Sequence, residues 1–250
     1  MSLLQTFDGE TPEILKPSAF MPYDPSFPET VLVMFRRKTL DCLLEQVDAE
    51  VVCHVNAGVL LPVYRFAYRG KPMAAYLTVL GGPATVGLLE EIIARGARKI
   101  VLFGSCGVLD GSMAAGYLIV PTAAYRDEGT SYHYAPAGDW MDVPTAPELC
   151  RIFDALHLPY VCGKTWTTDA FYRETQRNMA ARKQDGCITV EMECASVMAM
   201  SQFRGVDAYQ FLYAEDSLDG AEWDARTMGC VPQSATERYV RIALETAVRV

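Results

Sequence analysis

Two pairs of acidic residues occupy positions from which carboxylates can do chemistry. Glu191 and Glu193 open a predicted helix, and Glu215 and Asp216 follow an apolar, strand-like run at 208–213. In α/β folds, ligands bind where strands end and helices begin. An ionised carboxylate only accepts hydrogen bonds, so it suits a ligand rich in donors, such as a sugar with vicinal hydroxyl groups.

The two pairs differ in how readily a structural role alone explains them. Glu191 and Glu193 are two positions apart, so their side chains leave the start of a helix in different directions. Either one can simply complement the positive end of the helix dipole. Asp216 closes a buried strand, where a partly desolvated carboxyl can retain a proton near neutral pH. Asp216 is therefore the candidate for proton transfer.

A glycine-containing segment at 101–107, with the sequence VLFGSCG, is the second candidate. A buried strand that runs into Gly-Ser-Cys-Gly predicts a tight turn whose backbone N–H groups can face an anion or a sugar. Ser105 would add a hydroxyl group to such a site. The pattern is not GxGxxG, so it does not indicate a dinucleotide site, and a plain turn after a strand remains the alternative.

The segment at 125–134, YRDEGTSYHY, combines three tyrosines with an arginine, two acids and a histidine. A solvated charged loop rarely carries so many aromatic residues, so the segment indicates a binding site or a subunit interface. His133 is one of only three histidines. Because it has no identified partner, a hydrogen-bonded structural histidine remains its alternative role.

The elements that must position these residues follow from the hydrophobic patterns. Apolar or alternating runs predict strands at 31–34, 51–55, 63–68, 73–79, 99–103, 117–121, 160–167 and 208–213. Amphipathic stretches predict helices at 38–48, 83–95, 147–156, 192–203 and 234–250. Strands alternating with helices predict an α/β fold whose mixed, largely parallel sheet is covered on both sides. Residues 1–250 are expected to form a single domain with an irregular, proline-containing arm at 1–30.

Composition excludes several classes of partner. The net charge is -9 and no basic run exceeds the three residues 36–38, so no nucleic-acid partner is expected. No apolar run approaches the ~20 residues of a membrane span, and the N-terminus lacks the pattern of a signal peptide. The eight cysteines are scattered without metal-ligand spacing, so no metal site is expected. A cytoplasmic protein with no membrane partner is the expectation.

Five motifs, in this order, resemble the nucleoside phosphorylase family that includes uridine phosphorylase and hexameric purine nucleoside phosphorylase. They are GGP at 81–83, GSCG at 104–107, RDEGTSYHY at 126–134, TDAFY at 168–172 and VEME at 190–193. The likeness extends over most of the chain, from about residue 31 to residue 216. The family is related to methylthioadenosine nucleosidase, which hydrolyses its substrate.

The resemblance implies both a fold and a reaction. The fold is a three-layer α/β/α sandwich around a mixed, partly barrel-like β-sheet, usually assembled as a homo-oligomer, either a dimer or a trimer of dimers. The reaction is phosphorolysis, in which a purine nucleoside or uridine and phosphate give a free base and ribose 1-phosphate. The partners are then a small nucleoside and phosphate as cosubstrate, with no cofactor and no metal.

The same resemblance suggests roles around the sugar. Glu193 is similar to the residue that accepts hydrogen bonds from the ribose 2′- and 3′-hydroxyls, and Met192 to the residue that packs on the sugar. Glu191 corresponds to a neighbouring carboxylate of the site. Ser105 would lie in the pocket shared by phosphate and ribose.

Around the base, the chain resembles both branches of the family. Phe171 would stack against the base. Gln176 and Arg177 fall near the glutamine and arginine with which uridine enzymes read uracil, although the glutamine is one position off. Asp216 matches the acid that protonates the leaving base in the purine enzymes. The resemblance therefore leaves both purine nucleosides and uridine as substrates.

The phosphate half departs from the family pattern. Arginines grip phosphate oxygens at two points, and one family arginine falls on Leu102. A second falls near 33–38, where Arg36, Arg37 or Lys38 can supply the cation, and Arg65 is nearest to a third. This departure keeps two alternatives open, namely a nucleoside hydrolase that does not use phosphate and a non-catalytic nucleoside-binding homologue.

Overall fold

In the computed structural model, which describes residues 2–250, ten strands form one sheet. The strands are β1 (Thr30–Met34), β2 (Ala49–Asn56), β3 (Leu60–Tyr68), β4 (Lys71–Leu77), β5 (Lys99–Val108), β6 (Leu118–Asp127), β7 (Trp140–Asp142), β8 (Tyr160–Thr168), β9 (Cys187–Glu191) and β10 (Asp207–Ser217). Their order is β10-β6-β8-β9-β5-β1-β4-β3-β2, with β7 paired to β6. Both parallel and antiparallel pairs occur, so the sheet is mixed.

A further pairing between β10 and β5 closes part of the sheet on itself. The strands β5, β10, β6, β8 and β9 form a five-stranded barrel, and β1, β4, β3 and β2 extend it on one side. β5 is the shared strand, because it pairs with β1, β9 and β10. Every residue of β1 is buried, as expected for a parallel strand covered on both faces.

Six helices cover the sheet. They are α1 (Arg37–Leu44), α2 (Gly82–Arg95), α3 (Ala146–Ala155), α4 (Gln176–Gln184), α5 (Cys194–Arg204) and α6 (Gln233–Arg249). Helix α6 packs against α1 and α3, whereas α2 packs against α5, so two helical layers flank the sheet. The predicted three-layer α/β/α arrangement with a partly barrel-like sheet is confirmed.

All eight predicted strands and all five predicted helices are confirmed, with shifted ends. The predicted turn at 104–107 is wrong, because β5 continues through it to Val108 and pairs there with β10. The strands β7 and β9 and helix α4 were not predicted. Within residues 2–250, no helix is both long and apolar enough to cross a membrane.

Candidate active site

Three neighbouring strands bring the two acidic pairs together. Val190 of β9 pairs with Gly107 of β5, and Gly107 pairs with Asp216 of β10. Adjacent strands are about 4.8 Å apart, so Val190 and Asp216 lie roughly 10 Å from each other across β5. Glu193 follows Val190 by three residues, and the site predicted from distant segments is therefore compact.

The Glu191 carboxylate accepts hydrogen bonds from the first turn of α5. Its Oε2 accepts hydrogen bonds from the backbone N–H of Glu193 at 2.8 Å and of Cys194 at 2.7 Å. Its Oε1 accepts from Thr167 Oγ1 at 2.5 Å, and Thr167 in turn accepts from the Ala195 N–H at 3.0 Å. Together these side chains satisfy three N–H groups that a helix start leaves without partners. Glu191 thus orients the segment that carries Glu193.

Glu193 is buried beside the start of the other flanking helix. Its Oε1 accepts from the Gly81 N–H at 2.7 Å, immediately before α2. Gly81 has a φ of 96°, a conformation that favours glycine, and it directs this N–H toward the carboxylate. A carboxylate has room for about four hydrogen bonds, so the Gly81 contact leaves acceptor capacity for hydroxyl donors of a ligand.

Burial dominates the electrostatics of this carboxylate pair. Desolvation raises the pKa of Glu193, and the nearby charge of Glu191 raises it further. Desolvation also raises the pKa of Glu191, although three hydrogen bonds oppose that shift. A donor-rich ligand would stabilise the ionised form of Glu193 and lower its pKa again. Met192, between the two acids, is half-buried.

Asp216 has one oxygen occupied and one open. The Trp223 indole Nε1–H donates to Asp216 Oδ2 at 2.7 Å. No side chain or backbone group of residues 2–250 donates to Oδ1. A Cβ added to Gly107 would lie 3.4 Å from Oδ1, so this oxygen faces the β5 backbone.

Glu174 is a carboxyl near Asp216 that the sequence motifs did not reveal. It follows the 3₁₀ turn Phe171–Arg173, and its side chain makes no hydrogen bond within the described chain. Burial raises the pKa of Glu174 to about 7, and the charge of Asp216 contributes to the increase. A second titratable group therefore adjoins the proposed proton donor.

Exposed aromatic residues surround these two carboxyls. Phe171 is 47% exposed, Tyr172 is 88% exposed and Trp223 is 60% exposed. The rings of Phe171 and Tyr172 lie 4.1 Å apart between centroids. Gln176 Nε2 donates to the Ala221 carbonyl at 3.0 Å, which ties this segment to the loop carrying Trp223. Flat apolar surfaces beside titratable groups suit a heteroaromatic ring.

Gln176 and Arg177 open helix α4. Gln176 uses its amide on the Ala221 carbonyl, and Arg177 is exposed at the start of α4. Their roles in reading a base stay predictions. Trp223 and Glu174 are the functional candidates that sequence reasoning missed, since neither belongs to a recognisable motif.

An arginine that follows β1 and a glutamate of β10, the strands on either side of β5, form an ion pair beside Ser105. Arg36 Nη1 donates to Glu215 Oε1 at 2.6 Å, and Arg36 Nη2 donates to Glu215 Oε2. Arg36 Nη2 also lies 3.5 Å from Ser105 Oγ. The two acids of the second pair therefore have different contacts, because Glu215 binds the Arg36 guanidinium while Asp216 faces β5.

The cations predicted for phosphate have other partners in this structure. Arg37 Nε donates to Asp41 at 2.7 Å on α1, and Lys38 Nζ donates to the Val231 carbonyl at 2.9 Å. Arg65 Nε donates to Glu50 at 3.0 Å on the β2–β3 hairpin. Leu102 is fully buried in the core. Phosphate binding by Arg37, Lys38 and Arg65 stays a prediction, whereas Arg36 is the arginine that contacts Ser105.

The segment at 125–134 forms the end of β6 and a 3₁₀ turn packed on α5. Arg126 is buried, and its guanidinium lies 3.9 Å above the Tyr132 ring. Glu128 Oε2 accepts from Ser196 Oγ of α5 at 2.5 Å. His133 is exposed. Within residues 2–250, no group of three His, Cys, Asp or Glu side chains is arranged to hold a metal ion.

The fold is a mixed α/β fold with a partly closed sheet, and two buried carboxylates, Glu191 and Glu193, lie at the start of α5. The family model described as "Phosphorylase superfamily" matches residues 38–247, and the chain belongs to that family. Its nucleoside phosphorylases use phosphate as a substrate and need no cofactor.

Individual relatives carry several substrate names. A guanosine phosphorylase of Halorubrum lacusprofundi is 27% identical over 71% of this chain and 76% of its own length. A DeoD-type purine nucleoside phosphorylase of Bacillus cytotoxicus is 25% identical over 80% and 85%. A uridine phosphorylase of Thermococcus kodakarensis is 31% identical over 56% of each chain.

The fold matches a solved structure. The structure is a purine nucleoside phosphorylase from Toxoplasma gondii in complex with immucillin-H. Its TM-score is 0.76, and the match covers 88% of this chain and 90% of that one at 20% identity. This likeness supports the fold of the chain.

Proposed function

We propose that the chain cleaves the N-glycosidic bond of a purine nucleoside with phosphate and releases a free base and ribose 1-phosphate. The observation that carries this proposal is the arrangement across β5. The buried carboxylate of Glu193 lies on one side, and Asp216, with an open oxygen, lies on the other. Two of the relatives described above are named for purine nucleosides, which supports the same substrate class.

The sugar is held from the α5 side of the site. Glu193 accepts hydrogen bonds from the ribose 2′- and 3′-hydroxyls, and half-buried Met192 packs against the ring. Glu191 does not need to touch the sugar, because it orients Glu193 through the backbone at the start of α5. As the C1′–N bond weakens, positive charge grows on the sugar, and an ionised Glu193 stabilises that charge.

The base is held and protonated from the β10 side. Phe171 stacks against the ring, and Asp216 gives its proton to a ring nitrogen as the C1′–N bond breaks. The electron pair of that bond leaves with the base, so protonation produces a neutral leaving group. Trp223 donates to the other carboxyl oxygen, Oδ2, so the transferred proton is carried by Oδ1 in this proposal.

Phosphate attacks the sugar from the Ser105 side. One phosphate oxygen forms the new bond to C1′ while the base departs, which gives ribose 1-phosphate. Ser105 donates its hydroxyl to the anion, and Arg36 supplies the cation that Leu102 cannot. The reaction needs no cofactor, and we further propose that the chain acts as a homo-oligomer.

Hydrolysis is the second candidate, and a specific observation favours it. The guanidinium of Arg36 is already neutralised by buried Glu215, and Leu102 places an apolar side chain where a further cation would help. A weakened anion site would leave water to attack C1′. The products would then be the free base and ribose.

The deciding experiment incubates the protein with inosine, adenosine or uridine, with and without phosphate, and measures release of the free base. Phosphate-dependent release from inosine or adenosine, with ribose 1-phosphate as coproduct, is expected. Base release at an equal rate without phosphate would instead establish the hydrolase.

The Asp216→Asn variant should lose far more activity on purine nucleosides than on uridine. Equal losses on both substrates would contradict the role of Asp216 as the acid that protonates a purine base.

A further inference from the structure

Residues of β5 and β10, together with the residue pair that follows β1, build the proposed anion half of the site. β1 pairs with β5 up to Met34 and Phe103, so Arg36 and Ser105 each lie two residues beyond a paired position. β10 pairs with β5 from the other side, and Tyr213 is the partner of Ser105. The register shifts between Ala214 and Asp216, which leaves Glu215 as the extra residue of a bulge. The bulge lets Glu215 face Arg36 while Asp216 remains beside Gly107.

In the resulting ion pair, the Glu215 carboxylate is buried and the Arg36 guanidinium is partly exposed. The Glu215 side chain is 1% exposed, and both of its oxygens accept from Arg36. The Arg36 side chain is 33% exposed, and its Nη2 is the nitrogen nearest to Ser105 Oγ. Arg36 Nη2 donates to Glu215 and also lies near Ser105. An anion that accepts hydrogen bonds from Ser105 and from Arg36 Nη2 therefore lies next to the Glu215 carboxylate.

Such a site has no net positive charge before the anion arrives. A carboxylate only accepts hydrogen bonds, so it repels an anion that has no proton to donate. Inorganic phosphate carries at least one P–OH group at neutral pH, whereas sulfate carries none. A P–OH group directed at Glu215 converts the repulsion into a charge-assisted hydrogen bond.

We propose that Glu215 makes the anion half of this site selective for protonated oxyanions, so that it accepts phosphate and rejects anions of similar shape that lack a proton. This inference rests on the proposed use of phosphate and names the residue that determines which anion is used. Arg36 supplies the attraction, Ser105 supplies a donor and Glu215 supplies the discrimination.

The test measures anion binding without turnover. Wild-type protein is titrated by calorimetry at pH 7 and constant ionic strength with phosphate, sulfate and fluorophosphate. Fluorophosphate is a dianion with a P–F bond in place of P–OH, so it separates the effect of the proton from that of charge. We expect phosphate to bind at least about tenfold more tightly than either other anion. Equal affinities, or no anion binding at all, would overturn the inference.

Two variants assign the preference to the residue. Glu215→Gln provides an amide donor, and the preference for phosphate should fall to about twofold or less. Glu90→Gln is the matched control, because buried Glu90 accepts from Arg204 at 2.8 Å through each oxygen, on α2 and α5. Glu90→Gln should keep the wild-type preference. A Glu215→Gln protein that folds and keeps that preference would contradict the assignment.

The proposed reaction and this inference fail in different ways. Absence of phosphorolysis with the anion preference intact would remove only the proposed reaction. Phosphorolysis with equal binding of phosphate and fluorophosphate would remove only the role of Glu215. If Glu215→Gln does not fold, the three wild-type titrations still decide whether the site requires a proton on its anion.

Discussion

The two acids of each pair, 191 and 193 or 215 and 216, have different hydrogen-bond partners, and we therefore expect them to have different roles. Glu191 accepts three hydrogen bonds, from Thr167 and from two N–H groups of the first turn of α5, whereas Glu193 accepts one from the Gly81 N–H and has more spare acceptor capacity. Glu215 holds Arg36, whereas Asp216 keeps one oxygen open. In each pair one carboxylate builds the site and the other is available to a ligand.

Replacing Glu193 tests the sugar contact directly. Glu193→Ala removes the acceptor for two ribose hydroxyls, so we expect kcat/KM to fall by about 100-fold, or roughly 3 kcal/mol. The assay is nucleoside cleavage well below the unfolding temperature. Glu245→Ala is the control, because Glu245 is a similarly buried acid on α6 that pairs with Arg249. Unchanged kinetics in Glu193→Ala would refute the ribose role.

Glu174 leads to a prediction about stability and pH. Its pKa is raised from 4.5 to about 7 in the folded chain, mainly by burial. Between these values the unfolded chain ionises while the folded chain stays protonated, so the contribution of Glu174 is present below pH 4.5 and is lost by pH 7. Glu174→Gln should therefore reduce the decline in unfolding free energy over this range. Urea titrations at several pH values measure it, and an unchanged pH slope would contradict the assignment.

Sequence motifs supplied more candidates for the proposed sugar side of the site than for the proposed base and anion sides. The VEME segment at 190–193 and Asp216 were found because they belong to motifs or end an apolar strand. Glu174 and Trp223 were not identified as site features, and neither was the pairing of Arg36 with Glu215, although each of those two residues was named separately as a candidate. Their significance comes from neighbours 7 to 179 positions away in the chain, which no local pattern encodes.

At the scale of elements, the close packing of α2 on α5 is a testable feature. A Cβ on Gly82 would lie 2.9 Å from Ser196 Cβ, so Gly82→Ala should cost about 1–3 kcal/mol of unfolding free energy. Gly87 lies in the same helix with nothing within 4 Å of an added Cβ. Gly87→Ala should therefore stabilise the protein by about 0.5–1 kcal/mol. Opposite shifts in urea midpoints are expected, and equal shifts would show that α2 and α5 do not meet closely.

Elements with an apolar period were predicted from the sequence, and elements without one were missed. Helix α4 contains no buried residue, so no hydrophobic stripe marks it. The turn predicted at 104–107 failed because two glycines in a strand resemble a turn when only local propensity is considered. In the fold, Gly104 and Gly107 instead allow Phe35, Leu218 and Val190 to approach the β5 backbone. Tertiary packing overrode the local signal.

At the scale of the whole molecule, the β2–β3 hairpin exposes apolar side chains. Val51, Val59 and Leu60 are 48%, 60% and 63% exposed. A homo-oligomer would cover such a patch, so sedimentation should give a mass that is a multiple of 27.6 kDa. Val59→Asp combined with Leu60→Asp should shift the mass toward the monomer. Ile14→Asp, at another exposed apolar residue, should not, and a monomeric wild type would contradict the prediction.

The distance in sequence between Arg36 and Glu215, 179 residues, has a consequence for the order of events during synthesis. Contacts between remote segments form late, because the intervening chain must first be ordered. While β10 is still inside the ribosome, Arg36 has already emerged but the Glu215 carboxylate with which it pairs has not. The sugar half, from residue 81 to residue 193, can assemble before β10 docks. Under the proposed mechanism, the carboxylates that face the anion and the base, Glu215 and Asp216, are therefore both in place only after β10 docks.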